Sequence, residues 1–320
     1  MERRRFLAAA ALAAISGGLQ AQRRREVPVV GALYEQALPN DFSRAFADGI
    51  QELGHVQGED LRIEQRSARG VAARLPALAA ELLRRKPSVI FAAGDEPARV
   101  AVHAARTIPV VFAAVSDGTV QALVRNPLQP EGSVTGVAPL EARVHAKRLE
   151  LVRELVPRLQ RLAVLFDAAM PQAELAPLQQ AALAQRTTLQ IVSGRNAEEL
   201  RIALNADTKR APQALLVLPS PVFNGFRQAI VELAKSQRVP ALYRERSFVE
   251  AGGHVAYGPD MPGMCRPAAR LVLSLLQGAK IGKLPVEQAN FELAVNLRAA
   301  KAERFTVPRG MIARADRILQ

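Results

Sequence analysis

The chain has 320 residues, 49% of them hydrophobic and 23% charged, a balance that excludes wholesale disorder in a length sufficient for two domains with real cores. Lys and Arg number 43 against 30 Asp and Glu, a formal net charge of +13. The basic residues are dispersed as Arg on expected helix faces with few aromatics between them, which points to a solvated basic surface and not to a nucleic-acid partner. A single cysteine, Cys265, rules out an intrachain disulfide.

The first residues form a separate unit. Arg3-Arg4-Arg5-Phe6-Leu7 precedes an Ala-rich apolar run to Ile15 and a small-residue exit, Ser16-Gly17-Gly18-Leu19-Gln20-Ala21. The apolar run is too short to cross a bilayer, which takes roughly 20 residues, so residues 1–21 read as a cleaved export signal. The R-R-x-F-L order also fits the twin-arginine pattern, leaving both export routes open. A free protein in the periplasm is the expectation.

From Val27 strands and helices alternate. Val27 to Leu33 reads as a buried strand, and Phe42-Ala45-Phe46-Gly49-Ile50-Leu53 has helical spacing that stops at Gly54. Leu61 to Gln65 is a short strand, Leu75 to Lys86 a helix closed by Pro87, Ser88 to Ala93 a buried strand, and Ala98 to Arg106 a helix. Val110 to Ser116 is small, β-branched or aromatic at six of seven positions and ends on Ser-Asp-Gly, a buried strand running into a turn. A loop with Pro127, Pro130 and Gly132 then leads to Ser133–Val137, the first candidate crossing between domains, and to a helix over 141–156.

The pattern recurs. Arg161–Phe166 is a strand, 173–186 a helix, Leu189–Val192 a strand, Ala197–Leu204 a helix, and Ala214–Leu218 a strand ending at Pro219-Ser220-Pro221. Helix 224–237 then delivers the chain to Val239-Pro240-Ala241-Leu242-Tyr243. Pro109 and Pro240 open equivalent strands, a position that tolerates proline. Two such units predict an α/β protein of two similar doubly wound parallel-sheet lobes. Gly252–Gly258 and Leu293–Leu297 read as second and third crossings, making a three-segment hinge over a cleft. The expected division is 27–137 plus 254–284 for lobe 1 and 138–253 plus 285–320 for lobe 2.

Enzymatic signatures are missing. Gly278 to Leu284 is one residue short of a phosphate loop and follows a helix, and neither G-x-G-x-x-G nor G-x-S-x-G occurs. His55, His103, His145 and His254 have no partner at metal-ligand spacing, and Cys265 reads as a packed thiol, so no cofactor or metal is expected. An enzyme whose site assembles only in three dimensions stays open as an alternative, as does a bilobed ligand sensor. A repressor would need a helix-turn-helix where the export signal stands.

Ligands of open α/β sheets bind beyond the carboxyl ends of the strands. The candidates there are Tyr34, Glu35, Gly94, Asp95, Ser116 and Asp117 in the first lobe, and Asp167, Ser220, Tyr243 and Arg244 in the second, with Tyr257 on the second crossing. Each has two readings: a ligand contact, or a turn, helix-cap or core role.

The motif order Phe46-x-x-Gly49-x-x-x-Leu53-Gly54, Ala92-Ala93-Gly94, Ile108-Pro109-Val110-Val111-Phe112, Val115-Ser116-Asp117, Gly132-x-Val134-Thr135-Gly136, Leu216-Val217-Leu218-Pro219, Phe248-Val249-Glu250-Ala251-Gly252-Gly253 and Leu284-Pro285-Val286-Glu287-Gln288 resembles the ABC-transporter substrate-binding family of tryptophan and tyrosine type. The resemblance runs from about Val29 to the C-terminus. It implies a type I periplasmic-binding-protein fold that captures an amino acid or amine-bearing solute between closing lobes. It also implies a monomer that delivers the solute to an ABC permease with its ATPase. Asp95 stands where the family commonly has Thr, Asp167 where it usually has Asn, and Gly118 where Pro often follows Ser-Asp. If Asp95, Asp117 and Asp167 all face the cleft, the pocket is acidic and favours a cationic or amine-bearing ligand.

Overall fold

The computed structural model describes residues 27–320 apart from 142, 143, 171 and 206–210; the export signal lies outside the described residues. No helix among them is long and apolar enough to cross a membrane.

The first unit runs β1 (Val29–Tyr34), α1 (Asp41–Glu52), β2 (Arg62–Ser67), α2 (Leu75–Arg84), β3 (Val89–Ala93), α3 (Asp95–Ala105), β4 (Val110–Ala113), α4 (Asp117–Leu123) and β5 (Val134–Ala138). After α5 (His145–Leu155), the second unit runs β6 (Arg161–Leu165), α6 (Ala176–Ala184), β7 (Thr188–Val192), α7 (Ala197–Leu204), β8 (Ala214–Val217), α8 (Pro221–Gly225), α9 (Arg227–Gln237), β9 (Ala241–Tyr243), α10 (Arg246–Glu250) and β10 (Val255–Pro259). The chain closes with α11 (Cys265–Leu276), β11 (Glu287–Gln288), β12 (Phe291–Asn296), α12 (Leu297–Ala302), α13 (Arg309–Ala313) and β13 (Arg317–Leu319).

Two sheets result, a 6-stranded one in the order β11-β5-β4-β3-β1-β2 and a 7-stranded one in the order β13-β12-β10-β9-β8-β6-β7. The segments β4-β3-β1-β2 and β9-β8-β6-β7 are the same arrangement, so the repeat legible in the sequence is a repeat of topology. Strands β1 to β5 and β6 to β10 pair in parallel, while β12 runs antiparallel to β10. Helices cover both faces of each sheet, which is why β3 and β4 are continuous buried apolar runs. Phe91 of β3 stacks on Phe46 of α1 at 4.0 Å on one face, and Ile90 and Ala92 join the core on the other.

The first two crossings fall later in the chain than the sequence pattern suggests, and the third falls earlier. β5 is a full member of the first sheet, β10 and β12 of the second, and β11 of the first. The segments that pass between sheets are therefore the short stretches after Ala138, after Pro259 and around Asn290. The reason is backbone pairing: a strand left between lobes would strand its N–H and C=O groups, whereas β10 and β12 satisfy each other. The expected boundaries at 254 and 285 shift accordingly, since Val255–Pro259 pairs in the second sheet and Glu287–Gln288 in the first.

Candidate functional site

β5 and β10 leave their sheets at their carboxyl ends and lead directly into crossings, so the carboxyl ends of both parallel sets face one another across the hinge. The loops there carry the candidate residues.

In the first lobe β3 delivers Gly94 and Asp95. Gly94 has φ of 102° and caps α3, a conformation that side chains disfavour, which fixes glycine at this turn. The Asp95 carboxylate accepts from the Ser116 backbone N–H at 2.8 Å and from its hydroxyl at 3.0 Å, tying the loop after β3 to the loop after β4. Ser116 in turn caps α4, accepting from the Thr119 N–H at 3.3 Å, and Arg99 donates to the Thr119 hydroxyl at 2.7 Å. Glu35 and Asp117 are half-buried beside these loops.

The second lobe repeats the device with other residues. Asp167, only 8% exposed, accepts from the Ser220 hydroxyl at 2.7 Å and from the Ala169 N–H at 2.9 Å, and Ser220 caps α8 through the Phe223 N–H at 3.1 Å. Each lobe thus carries an Asp–Ser brace between two strand-end loops. Asp95 and Asp167 therefore have part of their acceptor capacity taken up by these braces. Ser220→Ala leaves the buried Asp167 short of a donor and is expected to cost about 1–3 kcal/mol, read as a lower urea midpoint at unchanged slope.

The tyrosines lie elsewhere than expected. Tyr34 and Tyr243 are 0% exposed, Tyr34 edge-on to Phe91 and Tyr243 stacked on Phe248 at 5.0 Å. Burial pushes both phenols up in pKa, and neither hydroxyl has a hydrogen-bond partner among the described residues. The physical reason is that both faces of each sheet are covered, so the last aromatic of a strand still sits under a helix. The cleft-lining reading for these two is corrected to a core role. Tyr257 is half-buried within β10, its ring tilted on Phe291 at 5.4 Å. Cys265 is fully buried in the first core, and burial pushes its thiol up.

A charge cluster that sequence reasoning passed over sits at the hinge. Glu141, on the first crossing, accepts from the Arg244 Nε at 2.8 Å, and its other oxygen lies 2.6 Å from Nη1 of Arg148. Arg148 on α5 is 0% exposed, donates its Nε to the Tyr257 carbonyl at 3.3 Å and lies 5.9 Å over the Phe291 ring. Arg244 also donates to Glu245 at 2.9 Å, which accepts from Asn224 at 3.0 Å. Burial alone would raise the Glu141 carboxyl, but the guanidinium groups of Arg148 and Arg244 outweigh it and hold the pKa at about 2. Arg244 stands beside Gly258, where a Cβ would collide with the Arg244 carbonyl oxygen, so glycine is required for this approach. The available signal was Arg148 itself, which shares the stripe His145, Leu149, Val152 and Leu155 at helical spacing with core residues.

A family model described as ABC transporter substrate binding protein matches residues 28–319. The tyrosine-binding protein of Clostridioides difficile (strain R20291) is 22% identical over 281 residues, covering 85% of this chain and 79% of that protein. The ligand-free, open structure of a substrate-binding protein with adhesive properties from Clostridium difficile is similar with a TM-score of 0.80 at 18% identity, over 92% of this chain and 100% of that one. An ABC domain from Streptococcus pneumonia, solved in complex with L-Trp, gives a TM-score of 0.71 at 19% identity, with the same coverage of both chains.

Proposed function

The chain belongs to the ABC transporter substrate-binding protein family, and from that premise we propose that it captures a small molecule, an amino acid or amine-bearing compound, in the periplasm and passes it to an ABC permease with its ATPase. The observation that carries this reading is the placement of both sets of strand carboxyl ends, each stiffened by an Asp–Ser brace, on opposite sides of a hinge of short crossings. A ligand that touches both sides at once has the differential contacts needed to favour a closed state over an open one. Ser116, Asp117, Glu35 and the Gly94–Asp95 turn are the proposed contacts from the first lobe, and the Asp167 and Ser220 loops and Arg244 those from the second.

Tyrosine and tryptophan are the first solutes to test, given what the related proteins are named for, followed by amines and other amino acids. In a thermal-shift screen, a ligand present at about 100 times its dissociation constant stabilises by about 2.7 kcal/mol. A clear upward shift with one of these compounds is the expected result. A flat response across the whole set would sink the reading, and turnover of a compound would move it to an enzyme.

A further inference from the structure

The first crossing holds two consecutive residues that are anchored in different lobes. Leu140 packs its side chain against the first-lobe core that contains Ala138 and Val286, whereas Glu141 is gripped by Arg148 and Arg244 of the second lobe. Leu140 also has φ of 50°, a left-handed conformation that a leucine adopts only where its surroundings impose it. Any rotation of one lobe against the other has to pass through the torsions at this residue.

The other two crossings narrow in the same way and lie side by side. Ala289 donates to the carbonyl of Ala138 in the first lobe at 2.8 Å, and Phe291 already pairs with Pro259 in the second sheet, leaving Asn290 between them. Asp260, the residue after Pro259, donates its N–H to the Asn290 carbonyl at 3.3 Å, and the next residue, Met261, packs on the first-lobe core. Arg244 spans the arrangement, paired with Glu141 on the first crossing and 3.9 Å from the Met261 Sδ on the second.

We propose that the Arg148–Glu141–Arg244 triad is a hinge lock: it clamps the first crossing to the second lobe, confines lobe rotation to the torsions at Leu140, Asp260 and Asn290, and gives the ligand-free protein one narrowly defined lobe separation. The lock rests on the reading of the cleft as a capture site, whose closure it would regulate. Lys in place of either arginine keeps the charge but loses the fork with which Arg244 spans Glu141 and Glu245 and Arg148 spans Glu141 and the Tyr257 carbonyl.

The test reads the separation directly, without ligand. Nitroxide labels at Gln121→Cys on α4 and Val222→Cys on α8 sit on exposed positions in different lobes, and the fully buried Cys265 stays unlabelled. Electron–electron resonance of the full chain is expected to give a single narrow distance, which broadens and shifts in Glu141→Gln. Arg244→Gln, which keeps the Arg148 pair, is expected to broaden it less and serves where Glu141→Gln folds poorly. Leu140→Gly broadens the distribution with the triad intact. Glu303→Gln breaks a different buried pair, with His254 at 3.0 Å, and is expected to leave the distance unchanged. A Glu141→Gln distribution that superimposes on the wild type, or a Glu303→Gln variant that broadens equally, overturns the lock. If the wild type responds to a solute while Glu141→Gln keeps its distance, the lock fails and the capture reading stands. If the variant broadens while the wild type is blind to every solute, the capture reading fails and the lock stands.

Discussion

Arg148→Met is expected to lower the unfolding free energy by about 3–5 kcal/mol, the loss that follows removal of one partner from a buried ion pair. Methionine replaces the arginine's stem, and the larger loss falls on the carboxylate of Glu141, 14% exposed, which loses its countercharge. Arg244 still holds one of its oxygens at 2.8 Å, which places the expectation toward the lower end of the range. The Tyr257 carbonyl loses its donor and the Phe291 ring its cation in the same step. Urea unfolding reads the loss as a lower midpoint at unchanged slope. The double variant Arg148→Met with Glu141→Gln removes both charges and is expected to recover much of the loss, because the pair's desolvation penalty disappears with its attraction. A loss under about 1 kcal/mol in the single variant, the size seen for exposed pairs, would show that water reaches the cluster.

The architecture was legible because its strands are buried on both faces. Val89–Ala93 and Val110–Ala113 read as continuous apolar runs, and the second unit reproduces their spacing, so the two equivalent sheets follow from local pattern. The hinge was not legible at the same level. Whether Val255–Pro259 belongs to a sheet or bridges two depends on its antiparallel partner Phe291–Asn296, 40 residues on by the register Val255 to Val295, and no local period encodes that pairing. In the site, the loops at the strand ends follow from the pattern, but what their residues face does not. Asp95 and Ser116 are 21 residues apart and Asp167 and Ser220 are 53 apart, so their braces exist only in the folded chain. Tyr34 and Tyr243 look amphipathic at strand ends, yet a doubly covered sheet has no wet face to offer them. Arg148 reads in the sequence as one more residue of a dispersed basic surface, although its neighbours on the helix stripe are all buried.

The same cluster makes acid the second large perturbation, with two windows that belong to adjacent groups. His145 is 4% exposed; burial first and the Arg148 guanidinium second lower its pKa from 6.5 to about 4, against a smaller upward pull from Glu141. The unfolded chain binds a proton near pH 6.5 that the folded chain refuses until about 4, so stability falls as pH drops through that interval. Burial of His254 outweighs its Glu303 partner and acts in the same direction. Glu141 follows at lower pH: its folded value of about 2 lies below the ordinary 4.5, so its contribution is complete above 4.5 and is lost as pH falls toward 2. A tenfold change in proton affinity is worth about 1.4 kcal/mol, which makes each of the His145 and Glu141 windows on the order of 3 kcal/mol. Urea unfolding across pH 7.5 to 3 is therefore expected to show a loss beginning near 6.5 and continuing below 4.5. His145→Asn should flatten the upper interval and leave the lower one; curves that stay parallel to wild type from 6.5 to 4 would mean that His145 takes up its proton in the folded protein as freely as in the unfolded one. Because Glu141 and Arg148 act on His145 with opposite sign, removing Glu141 is expected to push the histidine lower still, so the two variants will not add and their cycle measures the coupling inside the lock.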